Sequence, residues 1–198
     1  MSNLDPNAKI NLSKVAVMVI ESSAHALDVT SQILKGFGVS AISRFDKIAD
    51  AEKHLSHRKV DLIVIDPRVG DGAGYQFISS LRHSGGRSAY VPVLLVAGHL
   101  RKSDIARGRD TGANFIVSKP LSPTTLLQRL MWVARDKRPF VEVGKYIGPD
   151  RRFKYEGPPD GSDGRRNSDL RTPLGEASEP NLSQDEVDAM IKPQRVML

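Results

Sequence analysis

Residues 61–74 read "DLIVIDPRVGDGAG". The aliphatic run from Leu62 to Ile65 leads straight into Asp66, and then the chain turns polar and glycine-rich. An aliphatic run without polar alternation reads as a strand buried on both faces, as parallel strands between helices are. A carboxylate at its end is half desolvated and needs partners. The ends of the other strands decide what those partners are.

Outward from this stretch the same alternation recurs. "VAVMVI" (15–20) reads as a first buried strand. "ALDVTSQILKGFG" follows as a helix, with Leu27, Val29, Ile33, Leu34 and Phe37 roughly on one stripe and Gly36 or Gly38 to stop it. "AISRF" (41–45) is a second strand, and "KIADAEKHL" a helix with Ile48, Ala51 and Leu55 inward. "LIVI" (62–65) is the third strand, "GYQFISSLR" (74–82) a helix, and "VPVLLV" (91–96) the fourth strand. "KSDIARGRDTG" is a weak helical pattern ending at Gly112, and "FIV" (115–117) the fifth strand. "SPTTLLQRLMWVARD" opens with Ser122 as N-cap and Pro123 at the first helical position.

Alternating β/α units with buried strands make a parallel sheet covered by helices on both faces. Ligands of such sheets sit at the carboxyl ends of the strands. Those ends carry Glu21 and Ser22, Asp46, Asp66, Ala97 and Gly98, and Ser118 and Lys119. Two acids and a lysine gathered from three strand ends make a site for a phosphoryl group or a divalent cation.

The 198 residues leave room for one domain with a core plus an extension, or for two very small domains. The hydrophobic share of 39% is low because the chain after residue 137 is poor in large apolar side chains. The absence of cysteine excludes disulfides, thiolate metal sites and cysteine nucleophiles, and fits a reducing compartment. No apolar run approaches the roughly 20 residues of a membrane span, and "MSNLDPNAKINLSK" lacks the apolar core of a signal peptide. A cytoplasmic location without a membrane span is therefore expected. The net charge of +6 suits an anionic partner without naming it. The expected organisation is an N-terminal tail (1–14), the α/β domain (15–136), a Gly/Pro/Arg-rich linker or partly ordered tail (137–180) and a short amphipathic helix (181–192).

Residues 15–136 resemble a CheY-like response regulator receiver domain. "VMVIES" matches the acidic end of the first strand in that family, "DLIVIDPRVGDGAG" the phosphoacceptor loop with Gly74 at the family's glycine, "VPVLLVAG" the fourth strand, and "GANFIVSKP" the fifth with its Lys-Pro. The resemblance implies a five-stranded doubly wound, flavodoxin-like sheet in the order 2-1-3-4-5, followed here by a largely irregular extension ending in a short helix. It implies that Asp66 accepts phosphate from a histidine kinase or phosphotransfer protein and that Lys119 pairs with the phosphate. It implies Mg2+ held by Glu21, Asp66 and the main-chain carbonyl of Arg68, a cis Lys119–Pro120 bond, and no enzymatic activity beyond self-catalysed phosphoryl transfer onto Asp66.

Three positions depart from the family pattern. Ser22 stands where the family has the acid that ligates Mg2+ directly, and a neutral hydroxyl is a poor substitute for a carboxylate. Ala97 stands in place of Thr or Ser, so one hydrogen bond to the phosphate is lost. Ile116 stands at the aromatic switch position, with Phe115 one place earlier and facing the other way. Phosphorylation is thus expected to drive the family's usual switch only weakly. For Arg68 two readings stay open, a guanidinium folded onto Asp66 in the cation's place or a solvated loop side chain.

Beyond the domain, "GPDRRF" (148–153) and "DGRRNSD" (163–169) carry the pairs Arg151–Arg152 and Arg165–Arg166. Paired guanidiniums on glycine-containing loops can fork onto phosphates. The arrangement is similar to arginine-rich extensions of CheY-like effectors of cyclic di-GMP, and it suits a nucleotide better than duplex DNA. The alternative is a solvated tail whose arginines pair with neighbouring acids. In "NLSQDEVDAMIKP" (181–193), Ser183 and Glu186 form a capping box and Pro193 stops the helix. Leu182 and Val187 hold the staple positions, and Val187, Met190 and Ile191 line one face. A helix of about ten residues is unstable alone and should dock on something, its own domain or a partner. The segment resembles the CheY-binding peptide of the flagellar motor switch protein, which implies chemotaxis or flagellar switch proteins as partners.

Overall fold

The computed structural model describes residues 12–136 and 138–151, together with Gln184 and Val187. Five strands, β1 (Ala16–Ile20), β2 (Ala41–Phe45), β3 (Leu62–Ile65), β4 (Val93–Ala97) and β5 (Phe115–Ser118), form one parallel sheet in the order β2-β1-β3-β4-β5. Helices α1 (Ala24–Gly36), α2 (Ile48–His57), α3 (Val69–His83), α4 (Lys102–Asp110) and α5 (Pro123–Ala134) alternate with them. This is the doubly wound, flavodoxin-like receiver architecture that the sequence implies.

The sheet is buried on both faces, so successive strand residues feed two separate clusters. Met18, Ile20, Ile63, Ile65, Leu95 and Ile116 pack on one side with residues of α2, α3 and α4. Val17, Val19, Leu62, Val64, Leu94 and Val96 pack on the other with Leu27 and Leu34 of α1 and Leu126 and Leu130 of α5. Ser122 caps α5 by accepting from Thr125 N at 3.1 Å, with Pro123 at the helix start. In α1 the buried side chains are Leu27, Thr30, Ser31 and Leu34, whereas Val29 is only half-buried. β4 begins at Val93 rather than Val91, because a 3-10 turn at Arg87–Tyr90 claims the Val91 N–H and Pro92 has none to give.

The stretch read as linker or partly ordered tail contains regular structure. β6 (Phe140–Val143) and β7 (Tyr146–Pro149) form an antiparallel hairpin. Its loop is Gly144–Lys145, and Gly144 takes φ +60°, a conformation that glycine adopts without strain at the first turn position. Buried Arg82 of α3 ties together the segments on which the hairpin's Phe140 rests. Its guanidinium donates to the carbonyls of Gly112 (3.0 Å), Ala89 (2.6 Å) and Val91 (2.7 Å) and to Asn114 Oδ1 (3.2 Å). It also lies 5.0 Å from the Phe140 ring centroid.

Candidate functional site

Each site residue sits one step past a strand end, and a main-chain bond to the neighbouring strand fixes it there. Glu21 N donates to Phe45 O, Asp66 N to Ile20 O and Lys119 N to Ala97 O, all at 2.8–3.0 Å. The three side chains therefore converge from β1, β3 and β5. Lys119 Nζ donates to Asp66 Oδ2 at 2.6 Å and also to Glu21 Oε2. Their remaining oxygens are held by the backbone, with Ser23 N donating to Glu21 Oε1 at 3.0 Å and Arg68 N to Asp66 Oδ1 at 2.8 Å. The Glu21 and Asp66 side chains are 8% and 10% exposed, so their charges depend on Lys119. Burial pulls the Lys119 ammonium down, but hydrogen bonds and charge from Asp66 and Glu21 outweigh it and hold it above the ordinary lysine value.

The remaining expected site positions divide. Ser22 is exposed and lines a depression with Arg44 and Asp46, whereas the Lys119 bridge engages Glu21 and Asp66. The Arg68 guanidinium does not fold onto Asp66; it donates to the His99 carbonyl at 3.0 Å, while its own main-chain N–H serves the carboxylate. Ala97 and Ile116 are 1% and 2% exposed in the same cluster, so the switch positions are filled by close-packed aliphatic carbon. Phe115 packs on the opposite face, as strand alternation requires. The Lys119–Pro120 bond is cis. Arg151 stacks 4.0 Å over the Tyr146 ring and pairs with Asp110, so its guanidinium is already engaged within the chain. Arg152, Arg165, Arg166, Leu182, Met190 and Ile191 lie outside the described residues.

Sequence reading missed one support of the site and, for a second that it did name, the physical reason. One is the loop geometry before α3, where Gly70, Asp71 and Gly72 take φ of 58°, 55° and 93°. The other is Gly74, whose glycine permits close approach: an added Cβ would lie 2.8 Å from Pro67 Cα and 3.0 Å from the Asp66 carbonyl oxygen. Gly74→Ala is expected to push the Asp66–Pro67 loop outward at a cost of about 1–3 kcal/mol, as overpacking does. Thermal unfolding measures the cost, and an unchanged Asp66 amide resonance would show that the loop had not moved.

The family described as response regulator receiver domain matches residues 17–131. The chain belongs to that family. The phosphate regulon transcriptional regulatory protein PhoB of Shigella flexneri is 29% identical over 134 residues, covering 67% of this chain and 58% of that protein. The swarming motility regulation protein RssB of Serratia marcescens is 32% identical over 101 residues, covering 51% of this chain and 45% of that one. The receiver thus spans about half the length of these relatives. Among solved structures, chemotaxis response regulator CheY4 of Vibrio cholerae has a TM-score of 0.55 at 21% identity, covering 60% of this chain and 98% of that one. The non-phosphorylated HemR receiver domain of Leptospira biflexa has a TM-score of 0.56 at 22% identity, covering 65% and 100%. These two establish the likeness of fold.

Receiver domains bind Mg2+ at this acidic site as a rule, and the donors of this receiver fit a small hard cation. Each carboxylate oxygen of Glu21 and Asp66 holds one hydrogen bond and keeps a lone pair. Mg2+ uses one or two carboxylates and completes its shell with water. No group of three or more His, Asp or Glu gathers among the described residues, so a closed protein cage is absent there. The Arg68 carbonyl, the expected third donor, already accepts from Gly72 N at 3.2 Å. The Lys119 ammonium competes for the same oxygens. No helix among the described residues is long and apolar enough to cross a membrane.

Proposed function

We propose that this chain is a two-component receiver whose phosphoacceptor is Asp66. The observation that supports this is the Lys119 bridge, which holds two desolvated carboxylates at the carboxyl edge of the sheet, 2.6 Å from Asp66 Oδ2. An Asp66 oxygen attacks the phosphorus of a phosphohistidine on a kinase or phosphotransfer protein. The phosphorus–nitrogen bond breaks, its electron pair returns to the imidazole, and the ring takes a proton from water. Lys119 must release Asp66 Oδ2 and then pair with the new phosphoryl oxygens. Glu21 and Asp66 would hold Mg2+, which supplies charge neutralisation at those oxygens when bound. Arg68 N steadies the carboxylate during attack.

Output through protein contacts, with chemotaxis or flagellar switch proteins as the partner class, is supported by the resemblance of residues 181–193 to the motor's CheY-binding peptide. The aliphatic Ala97 and Ile116 make the coupling from Asp66 to such contacts weak. Intact mass after incubation with Mg2+ and a small acyl phosphate tests the reading. The expected result is a gain of one phosphoryl group that Asp66→Asn abolishes. No gain in the unsubstituted chain, or an equal gain in the variant, rejects Asp66 as a self-catalysed acceptor.

A further inference from the structure

Two residues from the far end of the chain reach the end of β5. Gln184 Oε1 accepts from the Ser118 N–H at 2.8 Å and from the Ser118 hydroxyl at 3.1 Å. Gln184 Nε2 lies 3.5 Å from the Ile116 carbonyl, a long and weak bond. In an extended strand the carbonyl of one residue and the N–H two places on point the same way. A residue of a parallel neighbouring strand engages just such a pair. The carboxamide of Gln184, with one acceptor and one donor set, takes the place of that residue. Val187 then stands three residues on, which puts it on the same helical face. Its side chain is 0% exposed and belongs to the cluster that holds Ala97, Leu100, Ile105 and Ile116. Both residues are helical.

A polar anchor on strand backbone and an aliphatic anchor in the core make a two-point contact, with specificity for spacing. The contact bridges 66–68 positions of sequence, so it is tertiary structure and not local chain geometry. It also lands on Ser118, the residue before Lys119.

We propose that the end of β5, with the apolar surface beneath α4, is a recognition site for a helical segment carrying Gln-x-x-Val, and that this chain's own segment occupies it in cis. A partner segment of the same pattern must displace the chain's own before it binds. Ala97 and Ile116 are aliphatic, which suits this role, since they share their cluster with Val187. The inference does not rest on phosphorylation of Asp66, and its test contains no phosphodonor, so failure of either reading leaves the other standing.

The probe is a fluorescently labelled peptide of residues 181–193, titrated with the full chain and with full-length Gln184→Ala/Val187→Ala. Anisotropy is expected to show the doubly substituted chain binding the peptide at least tenfold more tightly than the unsubstituted one, whose site is filled. Amide hydrogen exchange at Ser118 is expected to rise about tenfold in the variant, while Trp132 fluorescence confirms that the domain stays folded. Equal peptide affinities would overturn occupancy in cis. Binding to neither chain, or an unchanged Ser118 exchange rate, would overturn the recognition site itself. Sedimentation separates a last case: a dimer that the substitutions disperse would place the segment on a second copy and overturn the cis assignment.

Discussion

Arg82→Ala is expected to unfold the protein at a temperature lower by roughly 10 °C or more, a loss of about 4 kcal/mol for a domain of this size. The side chain is 1% exposed, yet its four acceptors are three main-chain carbonyls and a carboxamide, with no carboxylate among them. A cation held by neutral dipoles is dear to bury, and burial pulls this guanidinium down to about 10. The cost is borne because the fork satisfies the carbonyls of Ala89, Val91 and Gly112, each worth about 1–3 kcal/mol if left unpaired. Its loss also removes the floor under Phe140, whose ring faces Arg82 and meets Tyr90 edge-on. The hairpin should therefore detach before the sheet melts, and hydrogen exchange at Val141 and Ile147 should accelerate more than exchange at Val64. Arg82→Lys keeps the charge but not the fork, so it should recover less than half of the loss. An Arg82→Ala protein that melts within about 2 °C of the parent would show that water replaces the guanidinium at little cost.

Strand order and strand ends were legible because they follow from local pattern. "LIVI" is β3 to the residue, and Glu21, Asp66 and Lys119 meet as strand-end residues of a doubly wound sheet must. The hairpin was hidden by composition. Its neighbours are rich in Gly, Pro and Arg, yet "FVEVGKYI" carries two short β-prone runs on either side of a Gly-containing pair, which is a hairpin signature in itself. Arg82 was not legible. In "GYQFISSLR" it reads as a basic residue in the last turn of a helix, where solvent and the helix dipole account for it. Only the fold shows that Gly112, Asn114 and the turn before β4 close around it. The Arg68 guanidinium was open for a similar reason, since the carbonyl of His99 that it meets is 31 residues away in sequence. The docking of Gln184 and Val187 was half legible: the helix signal required a surface, and the surface could not be read from the segment.

Lys119→Met should cost about 2 kcal/mol at pH 7, less than a fully buried pair because the lysine side chain is 24% exposed. It leaves Glu21 and Asp66 facing each other with one main-chain donor apiece and no cation. The pH dependence identifies the cause. The folded state holds Lys119 above its ordinary value, because its two carboxylates outweigh the effect of burial. A base raised in this way contributes fully below its unfolded pKa of about 10.4, and the contribution is lost as pH rises through the folded value. Arg82, pulled down to about 10, shifts stability the opposite way in the same window. It does so in both proteins, so the difference between parent and Lys119→Met isolates the lysine. That difference should be flat between about pH 7 and 9 and shrink above about 10.5. A difference that stays constant through that range would mean that the lysine stem, and not its charge, carries the effect. Mg2+ supplies the second arm. Removing a competing unit charge a few ångströms away is worth about 1–4 kcal/mol at the effective dielectric of a partly exposed site. The variant should therefore bind Mg2+ at least about tenfold more tightly than the parent. Saturating Mg2+ should then raise its melting temperature more than the parent's, returning about 2–3 kcal/mol at a hundredfold excess over Kd. If Mg2+ leaves both proteins unchanged, the paired carboxylates serve Lys119 alone, and the site is a structural ion triad in a receiver frame.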